Sequence, residues 1–102
     1  MMAGMFTIDS HLAYVLFDSG ASHSFMSMGF AHRHNIPLMA IPFAYRIGTL
    51  GAQLYVNTQT NTVRLVLATH TYRLQFMVLP GQGIDAILGN ELVEKLWGSH
   101  KP

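Results

Sequence analysis

The stretch VLFDSGAS, residues 15–22, decides how this chain is interpreted. Apolar residues lead directly into Asp18, and Asp18-Ser19-Gly20 has the composition of a tight turn. A buried strand that ends in such a turn holds the carboxylate rigidly and removes part of its hydration, and both effects favour acid–base catalysis. Gly20 lets another backbone or a substrate approach closely because it has no Cβ. Asp-Ser-Gly is also ordinary turn material, so the tripeptide alone does not establish catalysis.

Length and composition indicate one small folded domain. The chain has 102 residues, of which 50% are hydrophobic and 11% are charged, and this is too apolar for a disordered segment. So little charge on a small domain is explained if a second copy covers part of the apolar surface. The formal net charge of +1, with scattered basic residues, gives no argument for binding nucleic acid or acidic membranes.

The residues that are absent also narrow the function. The chain contains no cysteine, which excludes disulfides, zinc–thiolate sites and thiol catalysis, and is compatible with an intracellular location. Residues 1–5 lack the basic flank and the apolar run of a signal peptide. No apolar run approaches the roughly 20 residues that cross a bilayer, so we expect a soluble protein.

Hydrophobic alternation predicts a mostly-β chain. The clearest strand is residues 63–67, and residues 72–78 alternate with the same period of two. Residues 5–8 and 12–17 flank the turn residues 9–11, so they predict a hairpin.

The remaining elements complete a small β-barrel. Residues 41–47 and 53–56 predict a second hairpin around the turn 48–51, residues 24–34 predict a helix, and Asn90 opens another short helix. The total is about seven strands and one or two short helices, which favours a closed or partly closed barrel.

Two motifs resemble those of a known family. The string FDSGASHSF, residues 17–25, closely resembles the active-site loop of retropepsins, and most closely that of gypsy-type LTR retrotransposon proteases. Ala86-Ile87-Leu88-Gly89 resembles the second family motif, which packs beside that loop, and residues 78–89 are similar to the same region of plant retrotransposon polyproteins. The motifs stand in family order with a hairpin between them where the family has its flap, and the resemblance covers residues 6–96.

This resemblance implies an aspartic endopeptidase that acts as a homodimer. One chain carries one Asp-Ser-Gly, so a site with two carboxyls needs Asp18 from two copies. Such a pair shares one proton and activates a water that attacks a peptide bond of an extended polypeptide. No metal or other cofactor is needed. The family context implies processing of a retrotransposon polyprotein in the cytoplasm or within retroelement particles.

The resemblance also assigns roles to residues. Asp18 is the predicted catalytic acid and base, and Ser19 fits the position that hydrogen-bonds across the dimer beneath the carboxylates. The other predicted contacts to substrate come from the active-site loop and the flap tip: Gly20, Ala21, Ser22, Gly48, Thr49, Leu50 and Gly51. The predicted structural support beside the loop comes from three residues: Ile87, Leu88 and Gly89. The turn 48–51 has an equally good, purely structural explanation.

Two features depart from the family and keep an alternative open. Asn90-Glu91-Leu92 stands where gypsy-type proteases usually have Met-Asp-Trp, which puts the helix start and its packing in question. Residues 98–102 are polar, where retroviral protomers end in a strand that interleaves with the partner. Either the dimer is weak, or the N-terminal residues form its interface, or the chain is a piece of a longer polyprotein, which is the explanation that we favour. Both departures favour the alternative of a domesticated retropepsin-like domain that dimerises or binds without catalysis. An unrelated small β-barrel would need both motifs to be coincidence.

Asp85 and the six histidines are the other candidates for chemistry. Asp85 has no Ser/Thr-Gly after it, and a hydrogen-bonded loop carboxylate is the favoured explanation. His32 and His34 lie two positions apart on the predicted helix and so do not share a face, which argues against a metal pair. His23 lies near the predicted cleft, where it is a candidate for tuning the pH response.

Overall fold

A computed structural model describes residues 2–49, 52–81 and 83–93. The elements with described bounds are β1 (Met2–Ile8), β2 (His11–Phe17), β3 (Phe25–Ser27), α1 (Met28–Arg33), β4 (Leu38–Thr49), β5 (Ala52–Thr60), β6 (Val63–Leu67), β7 (His70–Leu74), β8 (Met77–Leu79) and β9 (Ala86–Leu88). A second helix, α2, begins at residue 90 and is described as far as residue 93. No helix in these ranges is long and apolar enough to cross a membrane. The predictions for Leu50, Gly51 and residues 98–102 lie outside the described residues.

The strands form one curled sheet in the order β4-β5-β8-β3-β9-β2-β1-β6-β7. The pairs β2–β9 and β3–β8 are parallel, and the other neighbours are antiparallel. The mostly-β prediction is therefore confirmed, and of its two forms the sheet agrees with the partly closed one. A single chain does not test the predicted dimer.

Two apolar clusters lie on the sheet. The main core includes the fully buried Ile8, Val15 and Leu65, and the strand predicted over residues 63–67 contributes its alternate side chains to it. The second cluster consists of Phe25, Ile41, Ile47 and Val56, with partly buried side chains such as Ala21 and Ile87 packed against it. The first cluster holds the centre of the sheet together, and the second joins the β4–β5 hairpin to it.

The turn predicted at the start of the chain joins β1 and β2. Asp9 and Ser10 have φ angles of 48° and 70°, the left-handed conformation that a two-residue hairpin turn of this kind requires. Asp9 Oδ1 accepts a hydrogen bond from the backbone N–H of Arg64 at 2.8 Å, and the Asp9 N–H donates to the Arg64 carbonyl at 2.8 Å. Both backbone groups of Arg64 therefore bind Asp9, and these two hydrogen bonds join the turn to β6.

The helix predicted over residues 24–34 is wrong in its first part. Phe25–Ser27 form β3, which is buried between β8 and β9, and the helix α1 begins only at Met28. The Ser27 hydroxyl accepts from the Phe30 N–H at 3.1 Å and so caps the helix. The pairing that makes β3 a strand comes from residues far along the chain, so the local pattern did not reveal it.

The single strand predicted over residues 72–78 is also wrong, because β7 and β8 are separate. The break lies at Phe76, whose N–H donates to the Thr60 hydroxyl at 3.0 Å and whose carbonyl accepts from the Thr60 N–H at 2.8 Å. Thr60 is fully buried. These bonds move the chain from its pairing with β6 to a pairing with β5 and β3, so the predicted total of about seven strands becomes nine in the described ranges.

We expect Thr60→Val to lower the free energy of unfolding by about 1–3 kcal/mol, because the buried Phe76 N–H loses an acceptor while the side-chain volume hardly changes. Thr71→Val, at an exposed strand position, is the matched control and should stay within about 0.5 kcal/mol of wild type. Urea denaturation measures both. Equal stabilities of the two variants would contradict the role assigned to Thr60.

Candidate active site

Asp18 lies directly after the last residue of β2. The strand is hydrogen-bonded to β1 on one side and to β9 on the other, and Val15 within it is fully buried. The Asp18 N–H donates to the Leu88 carbonyl at 2.9 Å, which continues the β2–β9 pairing by one residue. The sheet therefore determines where the backbone of Asp18 lies, as the apolar run before it predicts.

The turn after Asp18 orients its carboxylate. The Gly20 N–H donates to Asp18 Oδ1 at 3.0 Å, and the Ala21 N–H donates to the Asp18 carbonyl at 3.1 Å. The carboxylate is half-buried, whereas Ser19 and Gly20 are exposed. One carboxylate oxygen is thus held by the turn, and the group stands at the surface next to an exposed glycine that leaves room for another molecule.

Gly89 is the residue against which the loop packs. A Cβ at this position would lie 2.7 Å from the His23 carbonyl carbon and 2.9 Å from the Ala21 carbonyl oxygen, closer than side-chain carbons approach such atoms. The Gly89 N–H donates to the hydroxyl of Ser24, which is 2% exposed, at 3.0 Å. The predicted support of the loop by Gly89 is therefore a direct backbone contact that only glycine permits.

The neighbours of Gly89 extend this support. Leu88 is fully buried in the main core, and Ile87 packs against the second cluster on the opposite face of β9. The Asn90 N–H donates to the Ala21 carbonyl at 2.8 Å. That bond uses the backbone of Asn90, so the unusual Asn90-Glu91-Leu92 sequence leaves the start of α2 and its contact with the loop in place.

The β4–β5 hairpin contacts the same loop. Ile47 and Val56 belong to the second cluster, against which Ala21 of the loop packs. The pairing of β4 with β5 continues as far as Gly48, opposite Gln53, and Thr49, opposite Ala52. The structure thus brings the base of the predicted flap to the loop, while Leu50 and Gly51 at its tip lie beyond the described residues.

The loop positions without assigned contacts are Ser19 and Ser22, both exposed. Their predicted roles, across the dimer and toward substrate, stay predictions because they need a second molecule.

The His23 ring lies against Phe25 and against Tyr45 of β4, with ring centroids 6.4 and 6.2 Å apart. Sequence reasoning missed Tyr45 as a neighbour of the loop and missed Ser24 as its anchor, since nothing in the local pattern distinguishes either residue.

Asp85 has a structural environment. Its Oδ2 accepts from the Tyr14 N–H at 2.8 Å, and its Oδ1 pairs with the Arg33 guanidinium at 3.2 Å. The Asp85 N–H in turn donates to the Tyr14 carbonyl at 3.0 Å. Both carboxylate oxygens are occupied, as expected of a hydrogen-bonded loop carboxylate.

The described histidines form no cluster suited to a metal. In residues 2–49, 52–81 and 83–93, no group of three His, Asp or Glu side chains is close enough together to hold an ion. His34 instead stacks on His11, with ring centroids 4.3 Å apart. Desolvation, together with the nearby His11 and Arg33, lowers the pKa of His34 below 6.5, although Asp85 acts in the opposite direction.

Comparisons with known proteins agree with this geometry. The sequence matches the family described as retroviral aspartyl protease over residues 1–98. The fold is similar to that of EIAV protease in complex with the inhibitor HBY-793, with a TM-score of 0.75, 19% identity, and coverage of 94% of this chain and 88% of that chain. It is also similar to the retroviral protease-like domain of Ddi1 from Leishmania major, with a TM-score of 0.64, 20% identity, and coverage of 93% and 76%. No significant match was found among curated protein sequences.

We expect Gly89→Ala to lower the free energy of unfolding by about 3 kcal/mol, because the added methyl group must displace the backbone of the loop. Ser24→Ala should cost about 1–3 kcal/mol, because the buried Gly89 N–H loses its acceptor. Ser22→Ala, at an exposed position of the same loop, is the control and should change stability by less than about 0.5 kcal/mol. Thermal and urea unfolding measure all three. A Gly89→Ala variant as stable as wild type would contradict the packing described here.

Proposed function

The chain belongs to the retroviral aspartyl protease family, and on that premise we propose that it is an aspartic endopeptidase whose active site forms from the Asp18 carboxyls of two copies. The observation that carries the proposal is how the aspartates are placed. The chain's other two aspartates have structural partners, Asp9 at the Arg64 backbone and Asp85 at Tyr14 and Arg33. The Asp18 carboxylate accepts a hydrogen bond from Gly20 of its own turn, and it stands half-exposed in a loop whose shape is held by the buried Ser24 contact.

Two such carboxyls explain the chemistry. Brought within hydrogen-bonding distance, they cannot both be ionised cheaply, so they hold one proton between them. The ionised carboxyl takes a proton from a water as that water attacks the scissile carbonyl carbon. The protonated carboxyl donates its proton to the oxygen on which negative charge develops. The carboxyl that took the proton from water then gives it to the amide nitrogen as the C–N bond of the tetrahedral intermediate breaks, and the other carboxyl takes back a proton from the oxygen as the new carboxylic acid forms. The pair again holds one proton, so the cycle consumes only water and peptide.

The surrounding residues take supporting roles in the proposal. Ser19 is exposed beside Asp18 and would hydrogen-bond to the partner's loop, while Gly20, Ala21 and Ser22 would line the groove for the substrate. The β4–β5 hairpin, anchored at its base by Ile47 and Val56, would close over an extended peptide with residues 48–51 at its tip. Each of these roles requires a second copy and a bound peptide.

The proposed substrate is a retrotransposon polyprotein. The support is the likeness of residues 17–25 and 78–89 to gypsy-type elements, together with the match to a retroviral family. Unstructured segments of a polyprotein are the natural substrates for a site that binds peptide in extended form.

A second candidate function is binding or dimerisation without catalysis. The likeness to a domain described as retroviral protease-like, in Ddi1, supports it. The Asn90-Glu91-Leu92 departure supports it less, since the backbone contacts there are retained. The two candidates differ in whether the protein cleaves peptides, a reaction for which the first candidate requires Asp18.

The deciding experiment is cleavage of a mixed peptide library between about pH 4 and 7, the range in which a carboxyl pair that shares a proton operates. Asp18→Asn should reduce the rate at least about 100-fold, because the pair loses its acid–base function. Asp9→Asn makes the same chemical change at the far end of β2, in a turn that accepts asparagine, and should keep full activity.

A mixing experiment tests the two-copy site directly. Adding Asp18→Asn protein to a constant amount of wild type should lower activity, because mixed dimers contain one competent carboxyl. Adding Asp9→Asn protein in the same amounts should not lower it. Activity that is unaffected by the Asp18→Asn protein would rule out a shared site. A folded dimer that cleaves nothing in either form would leave the binding function as the better candidate.

A further inference from the structure

Two arginines face each other across the β6–β7 hairpin, away from the candidate active site. The register places Arg64 directly opposite Arg73, and both are exposed on the outer face of the sheet. Like charges at directly opposite positions destabilise a strand pair. Among the described residues the ion pair found is Arg33–Asp85, so neither guanidinium is neutralised by a described carboxylate. The fold itself gives no reason for this repulsion.

Arg64 is held in place at the surface by the turn between β1 and β2. Its backbone is bound on both sides by Asp9, and its guanidinium donates to the Ser10 hydroxyl at 3.4 Å. These contacts hold one positive group at the surface without neutralising it. A negatively charged group placed between Arg64 and Arg73 would remove the repulsion and gain two charge-assisted hydrogen bonds.

The strand that carries Arg73 is an edge of the sheet. In the part of the chain that the structure describes, β7 pairs with β6 alone and ends the strand order. Its side chains alternate, with Thr71 and Arg73 exposed and Tyr72 and Leu74 half-buried against the main core. A groove of about 420 Å³ runs beside this edge, lined by residues 71–74 and by Glu91 and Leu92 of α2.

We propose that this edge binds an extended polypeptide segment in which acidic and apolar residues alternate, added to β7 as a further strand. The N–H and C=O groups of β7 that pair with no described strand would pair with the backbone of the segment. Its acidic side chains would lie next to Arg73 on the outer face of the sheet and so weaken the repulsion between Arg73 and Arg64, and its apolar side chains would cover Tyr72 and Leu74. Glu91 of α2 also lines the groove, and its charge disfavours an acidic residue of the segment beside α2.

A polypeptide fits these observations better than a nucleic acid. A formal net charge of +1 and two neighbouring arginines are little for a phosphate backbone, which is usually met by a broad basic surface. The edge of β7 can pair with a peptide backbone, and the half-buried apolar side chains can contact the apolar side chains of a peptide. A polyanion would use neither contact. The surface lies at the β7 end of the sheet, whereas the β4–β5 hairpin that contacts the Asp18 loop lies at the other end, so this binding is independent of catalysis.

The experiment uses Asp18→Asn protein, which removes cleavage, and a short fluorescent peptide of alternating glutamate and valine, followed by fluorescence anisotropy. We expect Arg73→Gln to weaken binding about tenfold or more, as the loss of a charge-assisted hydrogen bond predicts. Arg46→Gln removes the same charge from the β4–β5 hairpin at the other end of the sheet, so it should bind a peptide held at β7 within about twofold of its parent, whereas a peptide held beneath that hairpin would bind more weakly. Because Arg73→Gln relieves a repulsion, it should unfold at the same temperature or higher, which separates a binding effect from misfolding.

Four further measurements complete the test. A peptide with lysine in place of glutamate should not bind, and a peptide N-methylated at alternate residues should bind far more weakly, because it cannot pair with β7 along its length. The backbone amide NMR signals of residues 71–74 should shift on binding. Equal losses in Arg73→Gln and Arg46→Gln would reduce the effect to net charge and overturn the proposal. A single-stranded RNA oligonucleotide that binds in an Arg73-dependent manner while the acidic peptide does not would overturn it as well.

Discussion

The contact between Gly89 and the loop that carries Asp18 is the constraint on which the candidate site depends. The backbone of residues 21–23 lies so close to Gly89 that a Cβ would collide with two carbonyl groups. Ser24 and Asn90 close the contact with hydrogen bonds on either side. Because β9 also pairs with β2, the strand before Asp18 and the loop after it are supported by one short segment of chain.

The placement of the three aspartates has an electrostatic consequence. Within one chain the other aspartates serve the fold, Asp9 at a turn and Asp85 at the Arg33 ion pair, so the loop places a single carboxyl at the surface. Chemistry that needs a carboxyl pair must then be assembled from two molecules, and its activity becomes dependent on protein concentration. That dependence would let a protein of this kind remain inactive until copies are brought together.

The order of the strands separates the two surfaces that we consider functional. The β4–β5 hairpin joins the sheet through the second cluster and contacts the Asp18 loop, while β6 and β7 join it through the main core at the opposite end. A partner on the β7 edge would therefore leave the loop accessible. In a protease, an additional contact of this sort raises the effective concentration of a segment for cleavage without altering the chemistry.

The sequence by itself determined the features that depend on neighbouring residues. The Asp9-Ser10 turn, the alternation over residues 63–67 and the position of Asp18 after an apolar run are local properties, and the structure has all three. Gly89 was identified by resemblance, and the helix start at residue 90 by its local residues to within one position.

Only the tertiary structure decided what depends on distant partners. β3 is a strand rather than part of a helix because β8 and β9 pair with it, and the chain breaks at Phe76 because the buried Thr60 binds its backbone. The anchoring role of Ser24, the contact of Tyr45 with His23 and the opposition of Arg64 and Arg73 likewise join residues far apart in the chain. Hydrophobic periodicity records which side of an element is buried. It does not record which residues the buried side packs against. Strand order and register decide that, and they arise only when the whole sheet forms.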